Sequence, residues 1–80
     1  TDWAEVDDVG KVPLSAKSRT AGYERFLAAG TPRAFAIGSQ GAWGYATGDY
    51  VTGRALGFCL RSGQTCQLYA VDDDVVWPGR

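Results

Sequence analysis

Two stretches of the chain alternate with a period of two. From Arg33 to Ile37, Phe35 and Ile37 fall on one face and Ala34 and Ala36 on the other. From Ala42 to Thr47, Trp43, Tyr45 and Thr47 alternate with Ala42, Gly44 and Ala46. The turn-rich Gly38-Ser39-Gln40-Gly41 lies between them, so the pattern predicts a β-hairpin. One face of that hairpin is large and aromatic, and the other is nearly bare of side chains. A bare face admits a helix at close range, whereas an aromatic face fills a thicker core or meets a ligand.

Helical spacing flanks the hairpin on both sides. Over residues 15–29, Tyr23, Phe26 and Leu27 share a face that Ala16 and Thr20 extend upstream. Ser15 is placed to cap the first amides, Gly30 suits the left-handed position past the end, and Pro32 stops the helix. Ser18, Thr20 and Gly22 weaken its propensity, so it depends on docking. Over residues 50–61, with Asp49 as cap, Val51, Ala55, Leu56, Phe58, Cys59 and Leu60 form a broad apolar arc. Gly53, Arg54, Gly57 and Arg61 take the remaining face. The two interior glycines cost about 1 kcal/mol each against alanine. Residues 66–71 read as a third strand. Residues 75–77 read as a short fourth, turned back by Asp72-Asp73-Asp74. Residues 1–14 are expected to be an extended arm: Trp3, Val6, Val9 and Val12 recur every third position, Gly10 and Pro13 interrupt it, and Trp3 anchors it.

The predicted fold is therefore α+β, a mainly antiparallel sheet of three or four strands with two helices. Its β-β-α-β core is preceded by a helix, in one domain over residues 15–80. At 80 residues the chain buries only about 60–65% of its unfolded surface, so its core is thin. Cys59 and Cys66 are the only cysteines and flank the short turn Ser62-Gly63-Gln64. A disulfide between them, in an oxidising compartment, is expected to staple this core. The competing reading is two reduced, buried thiols. No hydrophobic run approaches the ~20 residues that span a bilayer. With no initiating methionine and no signal-like stretch, the chain reads as a mature or trimmed fragment.

Residues 32–38 (PRAFAIG), 41–46 (GAWGYA), 55–59 (ALGFC) and 66–71 (CQLYAV) together resemble a family of uncharacterised small domains of bacterial exported proteins. That family has an AIA–GAYGY hairpin, an AL–C helix and a C–V strand, and the resemblance covers a little over half the chain. It implies a paired cysteine and a periplasmic or secreted location, with no established activity to carry over. Gly53, Gly57 and the VDDDVVW ending depart from the pattern.

The net charge of −1 hides segregation. Asp2, Glu5, Asp7 and Asp8 open the chain and Asp72-Asp73-Asp74 sit near its end. Lys11, Lys17, Arg19, Arg25, Arg33, Arg54 and Arg61 lie between, against Glu24 and Asp49. Either the acidic ends fold back on the basic middle, or a basic face is offered to an acidic partner. The balance lacks the basic excess of a nucleic-acid binder.

The absence of histidine removes the commonest general base, the serine–histidine and cysteine–histidine arrangements and the usual zinc sites. The cysteines lack C-x-x-C spacing, and Gly38, Gly41 and Gly44 match no phosphate-binding loop. Ser39 lies outside any nucleophile-elbow pattern. Asp72-Asp73-Asp74 lacks calcium-loop spacing and reads first as a solvated turn. Asp49 with Asp72 is the conceivable carboxylate pair.

Phe35, Trp43, Tyr45, Tyr69 and Trp77 all fall on one sheet face, beside Arg33. They form a platform for a sugar, a peptide or bases, or else the core beneath the first helix. The expectation is a non-catalytic interaction module with a protein, peptide or glycan partner, no cofactor and no metal. Contacts are assigned to exposed members of Trp43, Tyr45, Tyr69 and Trp77, with Arg33, Arg54 or Arg61. The alternatives are a carboxylate-dependent hydrolase fragment and single-stranded nucleic-acid binding on the aromatic face.

Overall fold

The computed structural model describes residues 3–78. Helix α1 (residues 16–28) precedes strands β1 (Arg33–Gly38) and β2 (Trp43–Thr47), helix α2 (Val51–Leu60), β3 (Cys66–Val71) and the two-residue β4 (Asp74–Val75). The four strands form one antiparallel sheet in the order β2-β1-β3-β4. This is the α+β architecture that the alternation predicts, with β4 shorter and earlier than residues 75–77.

The alternation of β1 and β2 divides the molecule into two layers. Ala34, Ala36 and Ala46 pack with Ala55 and Cys59 of α2. Phe35 and Ile37 face Tyr23 and Phe26 of α1. A β-bulge in β3 keeps this division intact. Phe35 pairs with Ala70 and Ala36 with Leu68, so Tyr69 is the extra residue. Tyr69 and Ala70 therefore both join the aromatic layer, while Leu68 and Val71 pack on the α2 side. Strict alternation would have sent Ala70 and Val71 to the opposite faces.

The bare face works by close approach. A β-carbon on Gly44 would lie 2.7 Å from the Cys59 backbone nitrogen and 2.8 Å from the Ala55 carbonyl. On the other face Gly22 has the same role, since a β-carbon there would lie 2.7 Å from the Trp43 indole. Gly22 sits in a π-helical turn, Arg19–Tyr23, that interrupts α1 between Ala16–Ser18 and Glu24–Ala28. This residue, which lowers helix propensity, is what seats α1 on Trp43.

Ser15 caps α1 as expected, its Oγ accepting from the Ser18 amide at 3.2 Å. The other end departs from expectation. Ala29 leaves the helix in an extended conformation, and Gly30 does not adopt a positive φ. The final carbonyls are instead met by Arg33, whose Nη1 donates to the carbonyls of Phe26, Leu27 and Ala29 at 3.0, 2.8 and 2.9 Å.

The described part of the arm is packed against the domain. Val12 and Leu14 are buried in the aromatic layer, and Val6 and Val9 lean on it. A 3-10 turn at Val9–Lys11 accounts for the last step of the three-residue spacing, from Val9 to Val12, because one side of such a turn repeats every third position. The Trp3 indole donates to the Lys11 carbonyl at 2.9 Å, and the Tyr23 hydroxyl donates to the Val6 carbonyl. Thr1 and Asp2 lie outside the described residues.

Cys59 and Cys66 form a disulfide across the turn from α2 to β3. Closing so short a loop restricts the unfolded chain by about 2–3 kcal/mol. Reduction is expected to lower the Tm by roughly 10–20 °C, as read by circular dichroism with and without reductant. Gly44→Ala should destabilise by about 1–3 kcal/mol, because α2 must move off the sheet. Gly53→Ala, where the added carbon meets nothing within 4 Å, should stabilise by about 1 kcal/mol. Chemical denaturation of the two variants checks the contrast.

Candidate functional site

The aromatic face is core. Phe35 and Tyr69 are fully buried and Trp77 nearly so. Tyr23 of α1 packs edge-on against both Phe35 and Tyr69, at ring separations of 5.0 and 5.4 Å. Trp43 and Tyr45, near the open edge of the sheet, are only half-buried and stack at 6.4 Å. The aromatic set thus comes together as predicted, but α1 and the arm cover it. Tyr69 is sealed inside and Trp77 keeps only a small exposed part, so Trp43 and Tyr45 are the members of the set most open to solvent.

Arg33 is also internal, 7% exposed. Besides the α1 carbonyls, its Nε donates to the Asp72 carbonyl at 3.2 Å and its Nη2 pairs with Asp73 at 3.1 Å. The guanidinium lies 4.7 Å from the Phe26 ring centre. The Asp72 carboxylate accepts the Arg33 amide at 2.9 Å. The acidic run therefore folds back on a basic residue, and Asp72 and Asp73 serve a turn. Among the described residues no cluster of three histidine, cysteine, aspartate or glutamate side chains could hold a metal ion.

Burial raises the pKa of Tyr23 and of Tyr69 above the ordinary tyrosine value. For Tyr23 the neighbouring Tyr69 adds to the effect and Arg33 opposes it. The Tyr69 hydroxyl is buried against the Trp3 indole, but that N–H is directed to Lys11, leaving the hydroxyl without a well-aligned hydrogen bond. A raised native pKa means that the unfolded chain loses its protons first. The resulting stability is complete below the unfolded value of about 10 and falls as pH rises past it. Denaturant midpoints should hold steady up to about pH 10 and then drop, with Tyr23 and Tyr69 ionising only on unfolding. Tyrosinate absorbance followed alongside circular dichroism tests this.

The outer face of α2 differs from the rest of the surface. Phe58 and Leu60, predicted to lie on the apolar arc, are 42% and 53% exposed, because only Ala55 and Cys59 are fully buried against the sheet. Tyr50 is 87% exposed and occupies the N-cap with a left-handed φ of 56°. The expected Asp49 cap does not form. Arg54 braces the helix start instead, its Nη1 donating to the carbonyls of Thr47 and Asp49 at 2.7 and 3.2 Å.

Arg54, Gly57, Phe58 and Arg61 line an open groove of about 270 Å³. The Arg61 guanidinium lies 5.2 Å from the Phe58 ring centre. Neither Arg54 nor Arg61 pairs with a carboxylate among the described residues. Seven residues, or two helical turns, separate them, which spaces them about 10.5 Å apart along one face. Gly53 and Gly57 have open space where a β-carbon would stand and no positive φ, so nothing inside the fold requires glycine there. The structure thus brings Arg54 and Arg61 together, separates them from the aromatic set and from Arg33, and places Phe58 between them. Residue spacing could not reveal Phe58 as a surface residue, since it shares the helical phase of a core position.

A second concavity, of about 360 Å³, opens at the end of β1 remote from Arg33, with Ile37 and Trp77 among its walls. No helix among the described residues is long and apolar enough to cross a membrane. Compared with protein-family models, curated proteins and solved structures, the chain matches none of them.

Proposed function

We propose that this domain is a non-catalytic binding module of the bacterial periplasm or secreted space, which docks an acidic, apolar protein segment on the outer face of α2. The observation that carries this reading is Phe58, exposed between two arginines that have no carboxylate partner among the described residues. Aromatic and arginine side chains dominate the energetics of protein interfaces, and desolvation around the ring strengthens the charged contacts. Gly57, a wall of the same groove, lets an occupant approach the helix backbone. Charge complementarity selects the partner: carboxylates to meet Arg54 and Arg61, with an apolar side chain between them. A second copy packed α2 to α2 would instead oppose arginine to arginine.

The disulfide, which suits an oxidising environment, supports the compartment, as does the sequence resemblance to small exported bacterial domains. The non-catalytic reading is supported by the lack of histidine and by the commitment of Asp72 and Asp73 to the Arg33 turn.

The test is fluorescence anisotropy with a labelled peptide in which glutamates flank phenylalanine and leucine. Binding is expected at low salt and should weaken as salt rises. Phe58→Ala and Arg61→Glu should each reduce affinity roughly 10-fold or more, with the circular dichroism spectrum unchanged. No binding at low salt, or binding indifferent to both substitutions, would overturn the reading. Equal binding of a single-stranded oligonucleotide would also overturn it, since the groove would then be responding to charge alone.

A further inference from the structure

The concavity at the remote end of β1 lies on the aromatic side of the sheet, away from α2. Its apolar walls come from three separate parts of the chain: Pro13 of the arm, Ile37 of β1 and Trp77 beyond β4. Its polar rim is Ser39, Thr65 and Gln67, all exposed. Among the described residues no charged side chain lines it. Backbone groups at the rim are already used, the Ser39 amide donating to the Thr65 carbonyl at 2.8 Å and the Gly38 amide to the Ala42 carbonyl at 2.7 Å. The side chains of Ser39, Thr65 and Gln67 have no hydrogen-bond partner among the described residues. What the cleft offers a ligand is therefore two hydroxyls and one carboxamide, each able both to donate and to accept, set around apolar walls.

We infer that this cleft binds a neutral sugar ring. At about 360 Å³ it lies near the lower end of small-molecule sites, which run from roughly 300 to 1,000 Å³, so it admits one or two rings. An anionic ligand would find no cation among the described lining residues and no uncommitted rim amide at Ser39 or Gly38. A wholly apolar ligand would strip water from the rim side chains without replacing its hydrogen bonds. A pyranose has the matching construction, hydroxyls around its edge that donate and accept and a C–H face for exposed Pro13 and the small accessible part of the Trp77 indole. Glycoside cleavage ordinarily needs two carboxylates, and none lines the cleft among the described residues, so the proposed role is to hold the ring. The inference is independent of the α2 face, which lies across the sheet.

The experiment is a titration of the isotopically labelled protein, followed by NMR. The probes are the methyl glycosides of glucose, galactose, mannose and N-acetylglucosamine, with glycerol as control. At least one glycoside should shift the Thr65 and Gln67 amides and the Trp77 indole saturably, with a dissociation constant in the millimolar range. Glycerol has the hydroxyls but no ring face and should not. Ser39→Ala and Gln67→Ala, both at exposed positions, should each weaken binding roughly 3- to 10-fold. The α2 resonances of Arg54, Phe58 and Arg61 should stay in place. The inference fails if no glycoside produces saturable shifts at these residues, if glycerol reproduces them, or if both alanine variants bind unchanged.

Discussion

A single buried guanidinium holds the separate parts of this small fold to one another. Arg33 sits at the first position of β1, one of the two inner strands, yet its side chain points back to the last turn of α1. Carbonyls at a helix C-terminus have no partner within the helix and need one from elsewhere. Here they converge on one nitrogen of Arg33, while the other side-chain nitrogens reach Asp72 and Asp73 in the turn between β3 and β4. A charge buried to this degree is tolerable because nearly all its donors are used and Phe26 covers its face. The exposed Asp73 carboxylate is screened by water, so the carbonyl cage does more of the holding than the ion pair. One residue thus sets how α1 meets the sheet and where the fourth strand begins.

The sheet beneath is asymmetric by construction. Its alanine and glycine face lets α2 approach so closely that the Cys59 and Ala55 backbones sit against Gly44, and the Cys59–Cys66 disulfide then ties that helix to β3. Its opposite face needs thickness, which the rings of Tyr23, Phe26, Phe35 and Tyr69 supply together with the valines of the arm. A domain of this size has little apolar area to spare, and nearly every aromatic residue on that face is spent on the core. The same economy sends the unburied aromatic side chains elsewhere, to Phe58 on the outer face of α2 and to Tyr50 at its start.

These exposed features are hard to account for by folding alone. Glycine inside a helix weakens it, and neither Gly53 nor Gly57 is demanded by backbone conformation or by a neighbour. A left-handed tyrosine is unfavourable as well, and Tyr50 makes no cap through its side chain. These destabilising choices lie beside an exposed ring and two arginines that have no carboxylate partner among the described residues, and they support the proposed docking of a partner there. The cleft at the other end of β1 has a different chemistry, with two hydroxyls, a carboxamide and no charged side chain among the described residues, so the two proposed sites call for different classes of ligand.

Much of the architecture was legible from local signals, because strand alternation, the Ser15 cap and the Ser62-Gly63-Gln64 turn act over a few residues. The aromatic face could be read as a set of side chains but not as a covered one, since coverage depends on where α1 and the arm dock. Gly30 looked like a helix stop in isolation, and Arg33, four positions beyond Ala29, displaced it from that role through contacts that exist only in the folded chain. Phe58 and Leu60 looked like core because helical phase does not reveal how wide the opposing surface is. The sheet is narrow and bare there, so only the Ala55–Cys59 line is sealed. By itself, then, the sequence determined the elements, the two-faced hairpin and the expected cysteine tether, all of which follow from short-range periodicity and backbone preference. The tertiary structure decided which aromatics reach water, that Arg33 is internal, and that Arg54, Phe58 and Arg61 share a groove. Solvent exposure is a property of packing between distant segments, and no residue carries it alone.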